Sequence, residues 1–212
     1  MDDSAPAPSP RRAELLEAAY RYALEHGLAD LSLRPLATAI GSSPRVLLYL
    51  FGSKEGLIRA LLARARAEEV ALLDGLREAG GIAGLAAAGE RVWSWLSAVE
   101  HRPLVTLWVE GYARSLVDSQ GPWAGFARES VDDWLAVLAA AQHADDRDTA
   151  AGRAERTALL AVLRGALLDL LATGDVDRTT EAVRAQLGAS YGSAVTGAAN
   201  QMPPSPPTPM SP

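Results

Sequence analysis

The sequence predicts an all-α protein. Apolar residues recur every three or four positions through most of the 212 residues, which is the period of an amphipathic helix. No segment alternates apolar and polar residues as a half-buried β-strand would. Glycine and proline interrupt the periodic runs, and both residues commonly mark the ends of helices. Together these observations predict a series of separate helices and no sheet.

The composition limits the chemistry that the chain can perform. Apolar residues make up 49% of it, so the chain can bury a core, and its length fits one or two domains. There is no cysteine, which excludes a disulfide framework, a thiol nucleophile and Cys-ligated zinc. The histidines, His26, His101 and His143, are far apart and match no metal-binding spacing. We therefore expect no metal site and no cofactor.

The sequence does not indicate a membrane protein. It contains no run of about eighteen or more uncharged apolar residues, the length that a membrane-spanning helix needs. Residues 1–10 lack the basic and then apolar order of a signal peptide. We expect a cytoplasmic protein with no membrane partner. Its 19 arginines and single lysine are typical of a GC-rich bacterial genome.

The first helix is predicted to follow a disordered N-terminal arm. Residues 1–10 are mostly Pro, Ala and Asp, a composition that cannot bury a core. Arg11 and Arg12 come next, where they would either touch phosphate or lie in solvent at the helix start. The helix continues to His26, and Gly27 ends it. Its apolar residues form two adjoining rows on one face: Leu15, Ala19 and Ala23, and Leu16, Tyr20 and Leu24.

A short second helix is predicted after Ser32, which can cap it. Its apolar residues recur at helical spacing: Leu33, Leu36, Ala37 and Ile40. Gly41 ends this helix, because glycine adopts the positive φ that a sharp turn after a helix requires.

A third helix begins at the pair Ser43–Pro44, a capping residue followed by a proline suited to the first helical turn. Arg45 and Tyr49 lie four residues apart and share the outer face of this helix. Three apolar residues lie on the other face, toward the second helix: Leu47, Leu50 and Phe51. The result is a helix-turn-helix, whose second helix enters the major groove of DNA with its first residues at the base edges.

The next helix is predicted to contact phosphate at its start. Ser53 can cap it, and its first amides together with the ammonium of Lys54 form a site for an anion. The charge distribution fits this interpretation. Residues 1–66 carry nine basic and seven acidic side chains, a net charge of +2. Because the whole chain has a net charge of −6, the remaining residues have a net charge of −8. We therefore predict that the N-terminal part alone binds nucleic acid.

The segment from Arg12 to Leu62 resembles the N-terminal domain of TetR-family transcriptional regulators. The residues that carry the resemblance are Leu15, Ala19, Gly27, Ser32, Leu33, Leu36, Ala37, Gly41, Ser43, Phe51, Lys54, Glu55 and Leu57. One departure lies near the end of the third helix. The family usually has a tyrosine three residues before the aromatic at Phe51, whereas this chain has Leu48 there and its tyrosine at Tyr49.

The C-terminal body is predicted to consist of further helices. The helix after Ser53 continues toward Leu73, which links the DNA-binding part to the body. A loop is predicted near Gly80 and Gly81. The remaining predictions for this part are a helix over about 82–100, a helix opened by Pro103 that fades near Asp118, a turn at Gly121 and Pro122, a helix over 122–142 and a loop over 143–148.

Residues 149–173 predict a helix that is apolar on nearly all sides, so one side faces the protein's own core and the other requires a partner. After Gly174, residues 175–178 lead to a last helix with Val183, Leu187, Tyr191 and Val195 in one row. The resemblance implies that the last two long helices pair with their copies in a homodimer. The predicted interface residues are Leu160, Leu167, Leu171, Val183 and Leu187. Residues 197–212 are predicted to be a disordered, proline-rich tail.

All five tryptophans lie between residues 93 and 134. They can fill the core of a helical body or line a small-molecule cavity, and both interpretations stay open for any single ring. The resemblance implies a cavity for an effector in this region. We predict that it is lined by Trp93, Trp108, Tyr112, Trp134 and Leu163, with Glu110, Arg114 and Asp169 as candidate polar anchors.

The predicted domains are a DNA-binding domain at 11–56 and an effector-binding and dimerisation domain at 57–196. The predicted function is a DNA-binding transcriptional regulator, a repressor released from a pseudo-palindromic double-stranded operator by a small hydrophobic or amphipathic effector. The predicted DNA contacts are Arg34, Ser43, Pro44, Arg45, Tyr49 and Lys54.

Two alternatives remain at this stage. One is a helical enzyme with an appended DNA-binding domain, and the other is a DNA-binding or protein-interaction module without effector control. Gly188, Ser190 and Gly192 match the G-x-S-x-G motif of hydrolases. That motif requires a strand before the serine and a histidine later in the chain, and no histidine follows His143. We expect no enzymatic activity.

Overall fold

The computed structural model describes residues 9–28, 30–78 and 84–191, and their regular structure is helical throughout. The all-α prediction is therefore confirmed. The helices within these ranges are α1 (Pro10–His26), α2 (Leu33–Ala39), α3 (Pro44–Phe51), α4 (Lys54–Glu78), α5 (Gly84–Ser97), α6 (Arg102–Val117), α7 (Phe126–Ala141), α8 (Ala144–Arg147), α9 (Ala150–Thr173) and α10 (Val176–Tyr191), with a short 3-10 helix at Val99–His101 before α6.

The ends of the first helices follow the predicted capping residues. Gly27 ends α1 at φ 78°, and Gly41 follows α2 at φ 63°, both in the region that favours glycine. Ser43 Oγ accepts a hydrogen bond from Val46 N (3.3 Å) at the start of α3. Ser53 Oγ accepts one from Gly56 N (2.9 Å) at the start of α4. Ser32 precedes α2 in extended conformation but makes no side-chain capping bond.

Helix α4 joins the N-terminal helices to the body without a break. It begins at Lys54, crosses the predicted domain boundary between 56 and 57, and continues to Glu78. Leu57 and Leu61 are completely buried against the neighbouring helices. Because α4 is one continuous helix, a tilt of its C-terminal part within the body would also move its N-terminal part.

The body differs from the sequence prediction in four places. Helix α5 ends at Ser97 instead of 100, and residues 99–101 form the 3-10 helix. Helix α7 begins at Phe126 instead of 122, because turns occupy 121–125 and Gly125 has φ 83°. The predicted loop over 143–148 contains the short helix α8. Helix α10 begins at Val176, because Asp175 Oδ1 accepts a hydrogen bond from Arg178 N (3.1 Å) and caps it.

The core runs from the three N-terminal helices into the body without interruption. Trp93, Trp108, Trp123 and Trp134 are buried in it, and Trp95 packs against it. In the described ranges, no helix has the length and apolar character needed to cross a bilayer. The predicted N-terminal arm up to residue 8, the loop at Gly80 and Gly81, Val195 and the predicted tail lie outside the described residues.

Candidate DNA interface and internal cavity

Helix α3 presents one polar and one apolar side. Tyr49 is 86% exposed, and Arg45 is exposed near the start of the helix. On the opposite side Leu47 and Phe51 are buried in the core with Leu36 of α2. The apolar side therefore fixes α3 on α2, and its polar side projects from the molecule.

The other predicted DNA contacts lie around α3. Arg34 is exposed on α2, whereas Pro44 and Lys54 are half-buried at the starts of α3 and α4. Ser43 is exposed, although its Oγ already accepts the capping bond from Val46 N. A surface made of a helix face, two helix starts and three basic side chains can contact both base edges and phosphates.

The start of α4 favours negative charge. A hydrogen bond from its own backbone amide, and then one from Ser53, hold the pKa of the Glu55 carboxyl below its ordinary value. The amides at a helix start stabilise an anion in this way. A phosphate oxygen at the same helix start would receive the same stabilisation, which fits the predicted role of Lys54.

Arg12 contacts α3 within the protein. The sequence had left open only whether it touches phosphate or lies in solvent. Its guanidinium lies over the Phe51 ring (5.0 Å from the centroid), and its Nε donates a hydrogen bond to Leu50 O (3.3 Å). It therefore joins α1 to the last turn of α3. Arg11 instead pairs with Glu14 at the surface.

Helix α1 is also held to α4. Arg64 of α4 pairs with Glu17 of α1 (Nε to Oε1, 2.6 Å), and its guanidinium lies over the Tyr20 ring (4.7 Å from the centroid). Burial, followed by the negative charge of Glu68, raises the pKa of the Tyr20 hydroxyl. Since α1 also packs on α2 and reaches α3 through Arg12, these contacts help to attach the N-terminal helices to α4, on which α3 packs directly.

A second contact joins the DNA-binding domain to α6. Glu110 Oε2 accepts a hydrogen bond from Leu28 N (2.8 Å), in the segment between α1 and α2. A Cβ at Gly27 would lie 3.3 Å from the same oxygen, so glycine allows this close approach. Glu110 therefore holds α6 to the N-terminal helices, and it is not among the residues that line the tryptophan-containing cavity described next.

The body encloses a cavity of about 270 Å³ between α4, α5, α6, α7 and α9. Four of the five predicted effector residues line it: Trp108, Tyr112, Trp134 and Leu163. Trp93 lies elsewhere, between α5 and α10, where its Nε1 donates a hydrogen bond to Thr180 Oγ1 (2.9 Å). Two larger depressions, of about 620 and 940 Å³, are more open to solvent and have no tryptophan in their walls. Of these three spaces, the 270 Å³ cavity is the one whose walls contain tryptophan and tyrosine rings.

The charged residues that line the cavity are Glu69 of α4 and Arg164 of α9, and neither was predicted from the sequence. The predicted anchors lie elsewhere: besides Glu110, Arg114 is exposed, and Asp169 forms two 2.7 Å hydrogen bonds with Arg178. A signal for Glu69 was present in the sequence. It occupies one position in an otherwise apolar row of α4: Ile58, Leu62, Ala65, Glu69 and Leu73.

Glu69 is 1% exposed, and its ionisation is unfavourable. Burial raises the pKa of its carboxyl, although hydrogen bonds to Oε1 from Ser130 Oγ (2.9 Å) and Trp134 Nε1 (2.5 Å) oppose this effect. Among the surrounding charges, Asp133 also raises this pKa and Arg66 lowers it.

We expect the pH dependence of stability to show this raised pKa. Between the ordinary pKa of 4.5 and the higher value in the folded state, the folded chain binds a proton that the unfolded chain has released. The contribution of Glu69 to the free energy of unfolding therefore falls as pH rises through this window. Glu69→Gln should remove this contribution to the pH dependence of the free energy of unfolding, which urea titrations at successive pH values measure. An identical slope in both proteins would contradict the assignment.

The predicted dimer residues lie mostly inside the protomer. Leu160 and Leu167 line the cavity, and Val183 is buried. Leu187 packs on Gly89, where an added Cβ would lie 2.9 Å from Leu187 Cδ2. Leu171 is half-buried. The exposed residues of α9 include Ala158, Ala161, Gly165, Leu168 and Ala172, and those of α10 include Ala182, Ala185 and Ala189.

The serine of the G-x-S-x-G match lies near the end of α10. Its Oγ accepts a hydrogen bond from Gln186 Nε2 (3.0 Å) on the same helix, and Gly192 is outside the described residues. A nucleophile elbow requires the serine in a turn between a strand and a helix. The position of Ser190 does not fit that requirement.

Residues 15–61 match a family model described as bacterial regulatory proteins, tetR family. A transcriptional regulator from Rhodococcus sp. Rha1 has a similar structure, with a TM-score of 0.67 and 20% identity over 84% of this chain and 94% of that one. A TetR transcription regulator from Haloarcula marismortui gives 0.65 and 21%, over 87% and 97% of the two chains. The multidrug binding protein EbrR in complex with imidazole gives 0.60 and 28%, over 84% and 90%. The curated proteins yield no significant match.

The exposed helix α3, held by α1 and α2 on a larger helical body, defines a DNA-binding transcription regulator of the helix-turn-helix type. The predicted resemblance to TetR-family transcriptional regulators is confirmed for the N-terminal domain, where residues 15–61 match the family model. The rest of the chain shares the fold of the similar structures named above.

Proposed function

We propose that this chain is a homodimeric repressor that binds a pseudo-palindromic operator and leaves it when a small, largely apolar effector enters the 270 Å³ cavity. One observation carries the proposal: the two helices that contact the DNA-binding domain from the body, α4 and α6, also form walls of the cavity. A ligand between them can therefore change the position of the DNA-binding helices.

In the proposed complex, α3 lies in the major groove. Arg45 reads a guanine edge, because it is exposed near the start of the helix, where base contacts are made. Arg34 contacts a base or phosphate from α2, and Tyr49 and Ser43 contact phosphate or a base. Lys54 binds phosphate together with the amides of α4, and Pro44 fixes the first turn of α3.

The exposed surface of α9 supports the homodimer. Ala158, Ala161, Gly165, Leu168 and Ala172 form a stripe with spacings that alternate between three and four residues, the pattern by which helices pack together closely. Leu168 is 54% exposed in the single chain, and Ala182, Ala185 and Ala189 extend the surface onto α10. We propose this stripe as the dimer interface in place of the buried leucines of the sequence prediction.

The proposed mechanism is a shift between two states of the dimer. Trp108 of α6 donates a hydrogen bond from Nε1 to Ala65 O of α4 (3.4 Å), so α4 and α6 touch beside the cavity. Glu110 holds α6 to Leu28 N of the DNA-binding domain. An effector that separates α4 from α6 would alter the distance between the two copies of α3. It must bind the released state more tightly than the DNA-bound state.

The EbrR structures support an effector of aromatic or otherwise flat shape. EbrR is described as a multidrug binding protein, and one of its structures, 25% identical to this chain, is complexed with proflavin. The cavity in this chain has two tryptophans and a tyrosine in its walls, which can stack on such a molecule.

Arg45→Ala is expected to relax recognition at one base pair of each half-site. If Arg45 is bidentate to guanine, its loss costs about 1–3 kcal/mol on the operator and little on random DNA. Fluorescence anisotropy with an operator and a scrambled duplex measures the difference. Equal losses on both duplexes would reject the base-reading role.

Lys54→Ala is the matched control for charge. A phosphate contact carries no sequence information, so this variant should lose similar affinity for every duplex. The slope of log affinity against log salt should fall by about 1. A selective loss on the operator would assign Lys54 a different role.

The experiment that tests the whole proposal is selection of bound DNA from a random pool, repeated with candidate compounds present. A palindromic site that is lost with one compound supports both the repressor and the effector. A palindromic site that no compound affects would favour a DNA-binding module without effector control. Chemical conversion of a bound compound would favour the alternative of a helical enzyme with an appended DNA-binding domain.

A further inference from the structure

Two buried polar atoms of the cavity have no hydrogen-bond partner in the described part of the chain: Glu69 Oε2 and Arg164 Nη2. Most buried polar atoms in proteins are paired, so an unpaired one requires an explanation. Both side chains line the same 270 Å³ cavity, whose remaining walls are largely apolar and aromatic. The two atoms therefore mark where a ligand's polar group would lie.

Arg164 supplies a positive charge. Its guanidinium lies over the Tyr112 ring (4.9 Å from the centroid), and its Nη1 donates a hydrogen bond to Tyr112 OH (3.3 Å). No carboxylate among the described residues forms an ion pair with it. Burial lowers the pKa of the guanidinium, but arginine remains protonated in proteins. Tyr112 thus orients a cation that has no ion-pair partner within the described ranges.

Glu69 can supply a hydrogen-bond donor. Ser130 Oγ and Trp134 Nε1 both donate to Oε1, which leaves Oε2 as the oxygen for the proton of a neutral carboxyl. Burial favours this neutral form, because it raises the pKa of the group. In that form the O–H of Glu69 and the N–H of Arg164 are both donors, and both require an acceptor.

We propose that the effector is a small organic monoanion, a carboxylate on an apolar body, whose oxygens accept hydrogen bonds from Arg164 and Glu69. The inference rests on the proposed role of the cavity as the effector site. Its volume lies just below the range of about 300–1,000 Å³ usual for drug-sized ligands, so the molecule is small.

The balance of charge favours an anion over a cation. A monoanion beside protonated Arg164 and neutral Glu69 leaves no net charge in an apolar space. A cationic ligand would ionise Glu69 and would still leave two positive charges beside one carboxylate. One buried positive charge would then have no opposite charge beside it, and burial of such a charge is strongly unfavourable.

The test compares three compounds with one apolar body: 4-phenylbutyrate, 4-phenylbutanol and 4-phenylbutylammonium. Binding to the full-length protein is measured by calorimetry and by the change in tryptophan fluorescence, since Trp108 and Trp134 line the cavity. We expect the carboxylate to bind at least about tenfold more tightly than the ammonium, because only the carboxylate can accept a charge-assisted hydrogen bond from Arg164, whereas the ammonium is repelled by it.

Arg164→Met keeps an unbranched, flexible stem and removes the guanidinium with its charge. It should weaken carboxylate binding at least about tenfold and leave alcohol binding nearly unchanged. Arg153→Met is the control, because Arg153 is exposed on the same helix and does not line the cavity. If Arg164→Met fails to fold, as judged by circular dichroism, the order of affinity of the three compounds for the unaltered protein decides the question.

The outcomes separate this inference from the proposed function. Preference for the carboxylate, lost in Arg164→Met, supports the inference. Preference for the ammonium or the alcohol overturns it and leaves the cavity as an effector site. Binding of none of the three overturns the inference as well. Whether a bound compound releases operator DNA is measured separately and tests the proposed function alone.

Discussion

Gly165→Glu should convert the proposed dimer to a monomer and lower operator affinity by about a hundredfold or more. Gly165 lies at the centre of the exposed α9 stripe, and two-fold symmetry would bring the two copies of the new carboxylate together in an apolar interface. In a dimer, binding of the second half-site is intramolecular, whereas a monomer binds each half-site separately. Joining two binding modules raises affinity by about 10²–10⁴ over that of one module. Analytical ultracentrifugation and anisotropy on a full operator measure the two effects.

The protomer itself should tolerate this substitution. A Cβ at Gly165 meets no atom within 4 Å, so the change creates no clash inside one chain. Gly75→Glu is the matched control, because Gly75 is exposed on α4 and its added Cβ is equally free of contacts. A dimer that survives Gly165→Glu with unchanged operator affinity would place the interface elsewhere.

Leu47→Ala should destabilise the DNA-binding domain by about 2–5 kcal/mol, the usual cost of removing a buried leucine side chain. Leu47 is 1% exposed and belongs to the same core as Leu36 and Ala37 of α2. The cavity left behind would loosen the contact that holds α3 in place, so operator binding should fall together with stability. Urea unfolding followed by circular dichroism gives the free energy.

Leu48→Ala is the control for this effect. Leu48 is the next residue on the same helix but is 40% exposed, so the same truncation removes less buried surface and leaves no enclosed cavity. Its effect on the free energy of unfolding should stay within about 0.5 kcal/mol, as for most surface substitutions. Equal destabilisation by both variants would mean that α3 is oriented differently from the structure described above.

The DNA-binding domain could be predicted from the sequence in most of its detail. Its helices are short, and Gly27, Gly41 and the pair Ser43–Pro44 mark their ends by local backbone preferences that need no knowledge of the rest of the fold. Leu47 and Phe51 alternate with Arg45 and Tyr49 clearly enough to show which side of α3 is buried. The family resemblance rests on this same segment.

The cavity was predicted only in part. Aromatic residues on α6 and α7 indicated its position, and Trp108 and Trp134 do line it. Its polar groups were missed because they come from α4 and α9, which are distant in the sequence. Glu110 was assigned to the cavity from its helix position, yet its carboxylate reaches Leu28 N in another domain. A periodic pattern shows which face of a helix is buried but not which neighbour that face meets.

The sequence was enough to predict the helical class, the ends of the first three helices and the exposed side of α3, because capping and amphipathic periodicity act within a few residues of one another. Which sides of α9 face inward depended on tertiary packing. That helix is apolar around most of its axis, so periodicity gave no direction, and the packing of α5, α7 and α10 buried Leu160 and Leu167 while it left Gly165 and Leu168 at the surface. Packing also brought Glu69 and Arg164 to one cavity, because the position of one helix against another depends on side-chain shape across the whole core.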